Sequence, residues 1–213
     1  MEILIDPKEI EAKSFQIVDK HVAGIKLPRH QKEVMKRVLH ATSDLNYIED
    51  MLFHPKAVRS ALGAIRKGKN VVVDAGMVMA GINKKLLSTF GCKVFCLLNR
   101  EDVAWQASQL NISRSILAMR KAVKLMEGGI VAIGNAPTAL FEVCNMVSKG
   151  KASPAVLIGL PVGFVGAKEA KKRLRTLKIP YITNKSRYGG SSAAAACVNA
   201  LLKIAEREKR RDA

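Results

Sequence analysis

With 213 residues, 48% hydrophobic and 25% charged, the chain is long enough to bury one substantial core but short of what two ordinary domains need, so a single domain over 1–213 is expected. Its longest apolar runs, such as Val71-Val72-Val73 and Ala155-Val156-Leu157-Ile158, fall far short of the ~20 residues of a membrane-spanning helix. The formal charge of +18 favours encounter with nucleic acid, an anionic membrane surface or a polycarboxylate metabolite alike, so charge alone names no partner.

Met1-Glu2-Ile3-Leu4-Ile5-Asp6-Pro7 lacks the basic start and longer apolar region of a secretory signal, which points to a cytoplasmic location. The first third then reads as helical. Asp6 can cap, Pro7 suits a first turn and Glu9 completes a capping-box pattern, with Ile10, Phe15, Ile17 and Val18 as an apolar face. A second helix is predicted from Pro28, with Val34, Met35, Val38 and Leu39 at helical spacing and His40 in its last turn. A third begins near Pro55 and runs through Val58, Leu62 and Ile65 to Gly68.

From Asn70 onward, short apolar runs alternate with helix-length segments, the signature of a parallel sheet covered on both faces. Five strands are predicted: Val71 to Ala75, Lys93 to Leu98, Ile130 to Gly134, Ala155 to Leu160, and Tyr181 to Thr183. Helices are placed at Ser115 to Met126, Pro137 to Ser148, Ala167 to Leu177 and Ser191 to Arg207. The simplest closure is an α/β, flavodoxin-like, doubly wound five-stranded parallel sheet with helices on both faces and an N-terminal helical segment. The basic runs Lys168 to Lys178 and Lys203 to Arg211 read as solvated helix faces. Cys92, Cys96, Cys144 and Cys197 read as buried thiols.

Open sheets of this kind bind ligands beyond the carboxyl ends of their strands. Three glycine-rich segments fall there: Gly134-Asn135-Ala136-Pro137-Thr138, Gly159 to Gly166, and Gly189-Gly190-Ser191-Ser192. Each precedes a predicted helix, so free backbone N–H groups and the positive end of a helix dipole can meet an anion. Tight strand-to-helix turns alone would also explain the glycines. None of the segments matches a nucleotide-binding fingerprint.

Local context alone makes His40, at an apolar helix end, a structural residue more readily than a catalytic one. No histidine has a metal-ligating partner at convincing spacing, no His-Cys-Cys deaminase pattern occurs, and there is no G-x-S-x-G elbow. Neither a bound metal nor a cofactor is expected. The sparse aromatics, without the clustered motif of a single-strand RNA binder, give nucleic acid little support.

In order along the chain, Ser14-Phe15, Val38-Leu39-His40-Ala41, Asp74-Ala75-Gly76-Met77-Val78, Ser113-Arg114-Ser115, GNAPTALF (Gly134 to Phe141), GLPVGFVGA (Gly159 to Ala167) and Gly189-Gly190-Ser191 form a combination that resembles the precorrin-8X methylmutase family. The resemblance spans about residues 10 to 202, and its two longest strings have low degeneracy. It implies a flavodoxin-like homodimer that isomerises precorrin-8X, or its cobalt-containing counterpart, to hydrogenobyrinate or cobyrinate by moving a methyl group from C11 to C12. The partner it implies is an anionic tetrapyrrole, with no nucleic acid and no membrane. The histidine of the family's His-Ala motif, a proton donor to the ring, matches His40; the arginine of its Arg-Ser motif matches Arg114 and the serine of its Ser-Phe motif matches Ser14. Two departures stand out: Ile116 and Leu117 follow Arg114-Ser115 where small residues are common, and Thr42-Ser43-Asp44 replaces the frequent Cys-Gly after His40-Ala41.

A macrocycle with a broad apolar face and a carboxylate rim needs a flat apolar cavity edged with fixed donors. Under the resemblance, Gly134, Asn135, Ala136, Thr138, Gly163, Gly166, Gly189, Gly190 and Ser191 are expected to supply the donors, with Arg114 adding a bidentate grip. Histidine, with an ordinary pKa near ~6.5, suits proton donation near neutrality.

Overall fold

In the computed structural model, which describes residues 5–211, the Asp6 carboxylate accepts from the N–H groups of Lys8 (2.8 Å) and Glu9 (2.9 Å) and starts α1, Pro7–Val22. Helix α2, Arg29–Thr42, buries Val34, Met35, Val38 and Leu39 as their spacing predicts. It stops where Ser43 turns into the left-handed region at φ 53°, its N–H donating to the Leu39 carbonyl at 2.8 Å. His40 therefore sits in the last turn. The short α3, Tyr47–Asp50, and β1, Met51–Phe53, follow before α4, Ala57–Arg66.

Next come β2 (Val71–Val73), α5 (Gly76–Gly81), α6 (Lys84–Ser88), β3 (Val94–Phe95), α7 (Glu101–Gln109) and α8 (Arg114–Lys121). A 3₁₀ turn, Val123–Met126, leads into β4 (Ile130–Ile133), α9 (Pro137–Ser148), β5 (Val156–Gly159), α10 (Ala167–Arg175), β6 (Tyr181–Asn184) and α11 (Ser191–Arg211). The predicted helix at Ser115 to Met126 is thus an α-helix followed by a tighter turn.

The sheet has six strands in the order β1-β6-β5-β4-β2-β3, which corrects the expected five. Strands β2 to β6 are parallel, whereas β1 joins the β6 edge antiparallel, with Met51 opposite Asn184 and Phe53 opposite Ile182. Alternation along the strands divides the core in two. Val71, Val73, Ile130, Ala132, Val156, Ile158 and Ile182 face the layer of α2, α4 and α11, while Val72, Val131, Ile133 and Leu157 face α7 to α10.

Helix α11 lies close to the sheet because its first turns are Ala193 to Ala196, all buried. Helix α1 forms an outer layer against α2. Its expected apolar face is covered at Val18 and partly at Phe15, but Ile10 and Ile17 are 43% and 53% exposed.

Candidate active site

The loops at the carboxyl edge of the sheet are tied into one surface. The Gly163 N–H donates to the Arg187 carbonyl at 3.1 Å, and the Gly190 N–H to the Leu160 carbonyl at 2.9 Å. A Cβ on Gly189 would lie 2.2 Å from the Leu160 oxygen, and one on Gly134 would lie 2.9 Å from both the Ala194 Cβ and the Ser191 Cα. These glycines serve close approach between loops. Gly166 stands at φ 79° as the residue before α10.

The loop after β4 departs from expectation. Asp74, 1% exposed at the end of β2, accepts from the N–H groups of Gly134 (2.9 Å), Asn135 (2.9 Å) and Ala136 (2.6 Å). The anion at the start of α9 is therefore the protein's own, and these three donors are engaged rather than free for a ligand. Burial pushes the Asp74 carboxyl above the ordinary carboxylate value, while the three N–H bonds pull the other way. The Asn135 and Thr138 side chains remain exposed on the outer side of this loop.

Thr138 accepts from the Ser113 hydroxyl at 3.3 Å, and Ser113 caps α8 by accepting from the Ile116 N–H at 3.3 Å. Arg114, the first residue of α8, is thereby set exposed beside the Thr138 loop.

Ser14 and His40 meet elsewhere, in a cavity of about 250 Å³ between α1 and the end of α2, lined also by Ile17, Leu39 and Leu45. The His40 ring stacks on Phe15 with centroids 4.7 Å apart and planes 15° from parallel. The Arg37 guanidinium lies 4.5 Å from the Phe15 centroid and donates to Glu11 at 2.9 Å. That hydrogen bond holds the Glu11 carboxyl below its ordinary range, helped by the charges of Lys203, Arg37 and His40. So Ser14 and His40 form one group, and Gly134, Asn135, Ala136, Thr138, Gly163, Gly166, Gly189, Gly190 and Ser191, with Arg114 beside them, form another. Among the described residues no hydrogen bond joins the two groups.

The basic run over 168–178 is not uniformly solvated. Lys171 is 1% exposed, and its ammonium donates to the carbonyls of Ser186 (2.9 Å) and Tyr188 (2.5 Å). Burial lowers it to about 8, against the opposing charge of Asp50. The signal was present in the spacing: Lys171 falls on the stripe of Ala167, Ala170 and Leu174, which are all buried.

Asp50 accepts from the Lys185 N–H (2.9 Å), the Ser186 N–H (2.9 Å), the Ser186 hydroxyl (2.5 Å) and the Asn184 amide (2.6 Å). Burial raises its carboxyl, yet these bonds outweigh that and leave it below the ordinary value. Above this brace the edge presents large apolar side chains to solvent, with Phe164 89%, Val165 88% and Tyr188 50% exposed.

Among the described residues no three His, Cys, Asp or Glu side chains gather to hold a metal ion, and no helix is long and apolar enough to cross a membrane.

Comparison with known proteins gives one consistent answer. The family model for precorrin-8X methylmutase matches residues 9–204. The chain is 41% identical to the cobalt-precorrin-8 methylmutase of Priestia megaterium, covering 96% of this chain and 91% of that protein. It is 38% identical to the precorrin-8X methylmutase of Pseudomonas aeruginosa, covering 92% and 95%. The crystal structure of the precorrin-8X methylmutase from Thermus thermophilus superposes with a TM-score of 0.89 at 35% identity, covering 94% of this chain and 97% of that one. With nearly its whole length matched in sequence and in fold, the chain belongs to the precorrin-8X methylmutase family.

Proposed function

We propose that this protein is an isomerase of cobalamin biosynthesis that moves a methyl group from C11 to C12 of precorrin-8X or cobalt-precorrin-8, giving hydrogenobyrinate or cobyrinate, with His40 as the proton donor. The observation that carries the reading is a near full-length family match in a chain whose half-buried His40 shares a cavity with Ser14. Protonation of a ring nitrogen raises electron demand in the conjugated system, and the methyl group migrates toward it with its bonding pair. The proton then returns to the imidazole, so the composition is unchanged, as an isomerisation requires. Stacking on Phe15 fixes the plane of the donor ring.

The cavity of about 250 Å³ at His40 is smaller than the ~300–1,000 Å³ that encloses a drug-sized ligand, and a tetrapyrrole is larger still. A homodimer, with a second copy completing the walls, fits that shortfall, and the exposed Ile10 and Ile17 of α1 suit burial against a partner.

Taken in chain order, the five parallel strands lie 2-1-3-4-5, and this order supports a flavodoxin-like reading with the binding edge at the loops after β2 and β4. Asp74 fills the innermost position there, so the carboxylate rim meets Asn135, Thr138 and Arg114 on the outer side, and the loops at Gly163, Gly166, Gly189, Gly190 and Ser191 flank it. The partner is this anionic tetrapyrrole rather than nucleic acid. Four free cysteines suit a reducing cytoplasm.

Incubating the protein with precorrin-8X and with cobalt-precorrin-8, and following the visible spectrum, tests the reaction and its metal preference together. Conversion of either is expected, and binding without conversion refutes the enzyme. A His40→Ala variant turning over at the wild-type rate refutes the assigned donor.

A further inference from the structure

We propose that Arg187 anchors a rim carboxylate of the substrate from beside an apolar shelf of Phe164 and Tyr188, and that Lys171 and Asp50 are positioning residues that hold it there. The inference rests on the methylmutase reading above.

The Arg187 guanidinium lies 4.9 Å from the Phe164 ring centroid and 5.9 Å from that of Tyr188. Among the described residues no carboxylate pairs with Arg187, as none pairs with Arg59, Arg114, Arg173 or Arg175, but Arg187 alone of these lies over exposed aromatic rings. Phe164 at 89% and Val165 at 88% exposure leave an apolar surface uncovered beside an uncompensated cation. A flat ligand with an apolar face and an anionic rim satisfies both at once, since the shelf takes the face and the planar guanidinium grips a carboxylate through two parallel bonds.

The loop that bears Arg187 is fixed on both sides. Asp50 engages the donors of Lys185 and Ser186 just before it, and Lys171 engages the carbonyls of Ser186 and Tyr188 on either side of it. A half-buried carboxylate takes the loop's N–H groups and a buried ammonium donates to its oxygens. The Arg187 carbonyl itself accepts from Gly163, in the same loop as Phe164, so cation and shelf are held as one unit. Order established before binding is order the ligand need not impose.

The test compares wild type, Arg187→Gln, Arg187→Lys and Lys171→Met for kcat and KM with precorrin-8X, and for binding of hydrogenobyrinate by visible titration. Arg187→Gln should raise KM and the product Kd by about 10- to 100-fold, the worth of a charge-assisted hydrogen bond, with a much smaller change in kcat. Arg187→Lys should recover part of the loss. A product analogue with its rim carboxylates amidated should bind wild type and Arg187→Gln equally. Lys171→Met should speed amide hydrogen exchange over 185–190 and raise KM although Arg187 is intact. Should that variant not fold, the exposed Arg187 variants still decide the anchor. Unchanged KM and Kd in Arg187→Gln overturn the anchor, as does a change in sedimentation with ligand binding intact, which makes the shelf a contact between copies. Wild-type protein that neither binds nor converts these ligands overturns the methylmutase reading and the anchor with it.

Discussion

Replacing Asp74 by asparagine changes almost no volume and should nonetheless destabilise the protein by about 3 kcal/mol. One carboxylate oxygen accepts from Gly134 and the other from both Asn135 and Ala136. An asparagine amide turns one of those positions into a donor, so in either orientation at least one buried N–H faces N–H, and the bonds that remain lose their charge. Bonds to a charged group contribute about 1.5–3 kcal/mol each, and stranding a buried donor costs about 1–3 kcal/mol. For a chain of this length, a loss of about 3 kcal/mol lowers Tm by roughly 6–12 °C. Urea unfolding of wild type, Asp74→Asn and Asp74→Ala at pH 7 reads the effect, with both variants expected well below wild type and alanine lowest. An asparagine variant whose midpoint matched wild type would refute the argument, because the ionic acceptor would then contribute nothing to the start of α9.

Three further outcomes are expected. Gly189→Ala should cost about 2–4 kcal/mol in thermal unfolding, because its Cβ would meet two backbone oxygens, at 2.2 and 2.7 Å, that cannot yield cheaply; a loss under about 1 kcal/mol contradicts this. Lys171 falls from 10.5 to about 8 on burial, so between those pH values the unfolded chain binds more protons than the folded one and this residue makes stability rise with pH, by at most about 3 kcal/mol. Below pH 8 its penalty is constant, so the difference between wild type and Lys171→Met should slope only from pH 8 to 10.5; parallel curves contradict it. Phe15→Leu removes the ring stacked on His40, an interaction of about 0.5–1.5 kcal/mol, and should lower the single-turnover rate about 3- to 10-fold; an unchanged rate separates the stack from the proton transfer.

What sequence reasoning made legible follows from range. Helix α2 and its terminal His40 were readable because the apolar spacing of Val34, Met35, Val38 and Leu39 is local. Strands β4 and β5 were readable because both faces are buried and their runs are continuously apolar. Strand β1 was not, since three residues carry no period and its pairing partner lies at the far end of the chain. Helix α5, bounded by Gly76 and Gly81, offers neither length nor a clear cap. Asp74 could be quoted within a motif, but its role depends on backbone donors 60 to 62 residues later. Lys171 reads as solvated surface where charge is weighed above position, although its place on the buried stripe argues otherwise. The cavity that Ser14 and His40 share depends on how α1 packs across α2, which no local pattern states.

The antiparallel strand β1 sets an order of events during synthesis. Met51 pairs with Asn184, Asp50 bonds to Asn184 across 134 positions, and α2 packs against α11, which begins only at Ser191. A ribosome emitting the chain from its N-terminus therefore releases the apolar stripe of α2 long before its cover exists, at ~5–20 residues per second. Contacts so distant in the chain close slowly. The parallel strands can assemble first, so a nascent chain that has not yet released α11 can hold much of its sheet while the helix that bears His40 still lacks its cover.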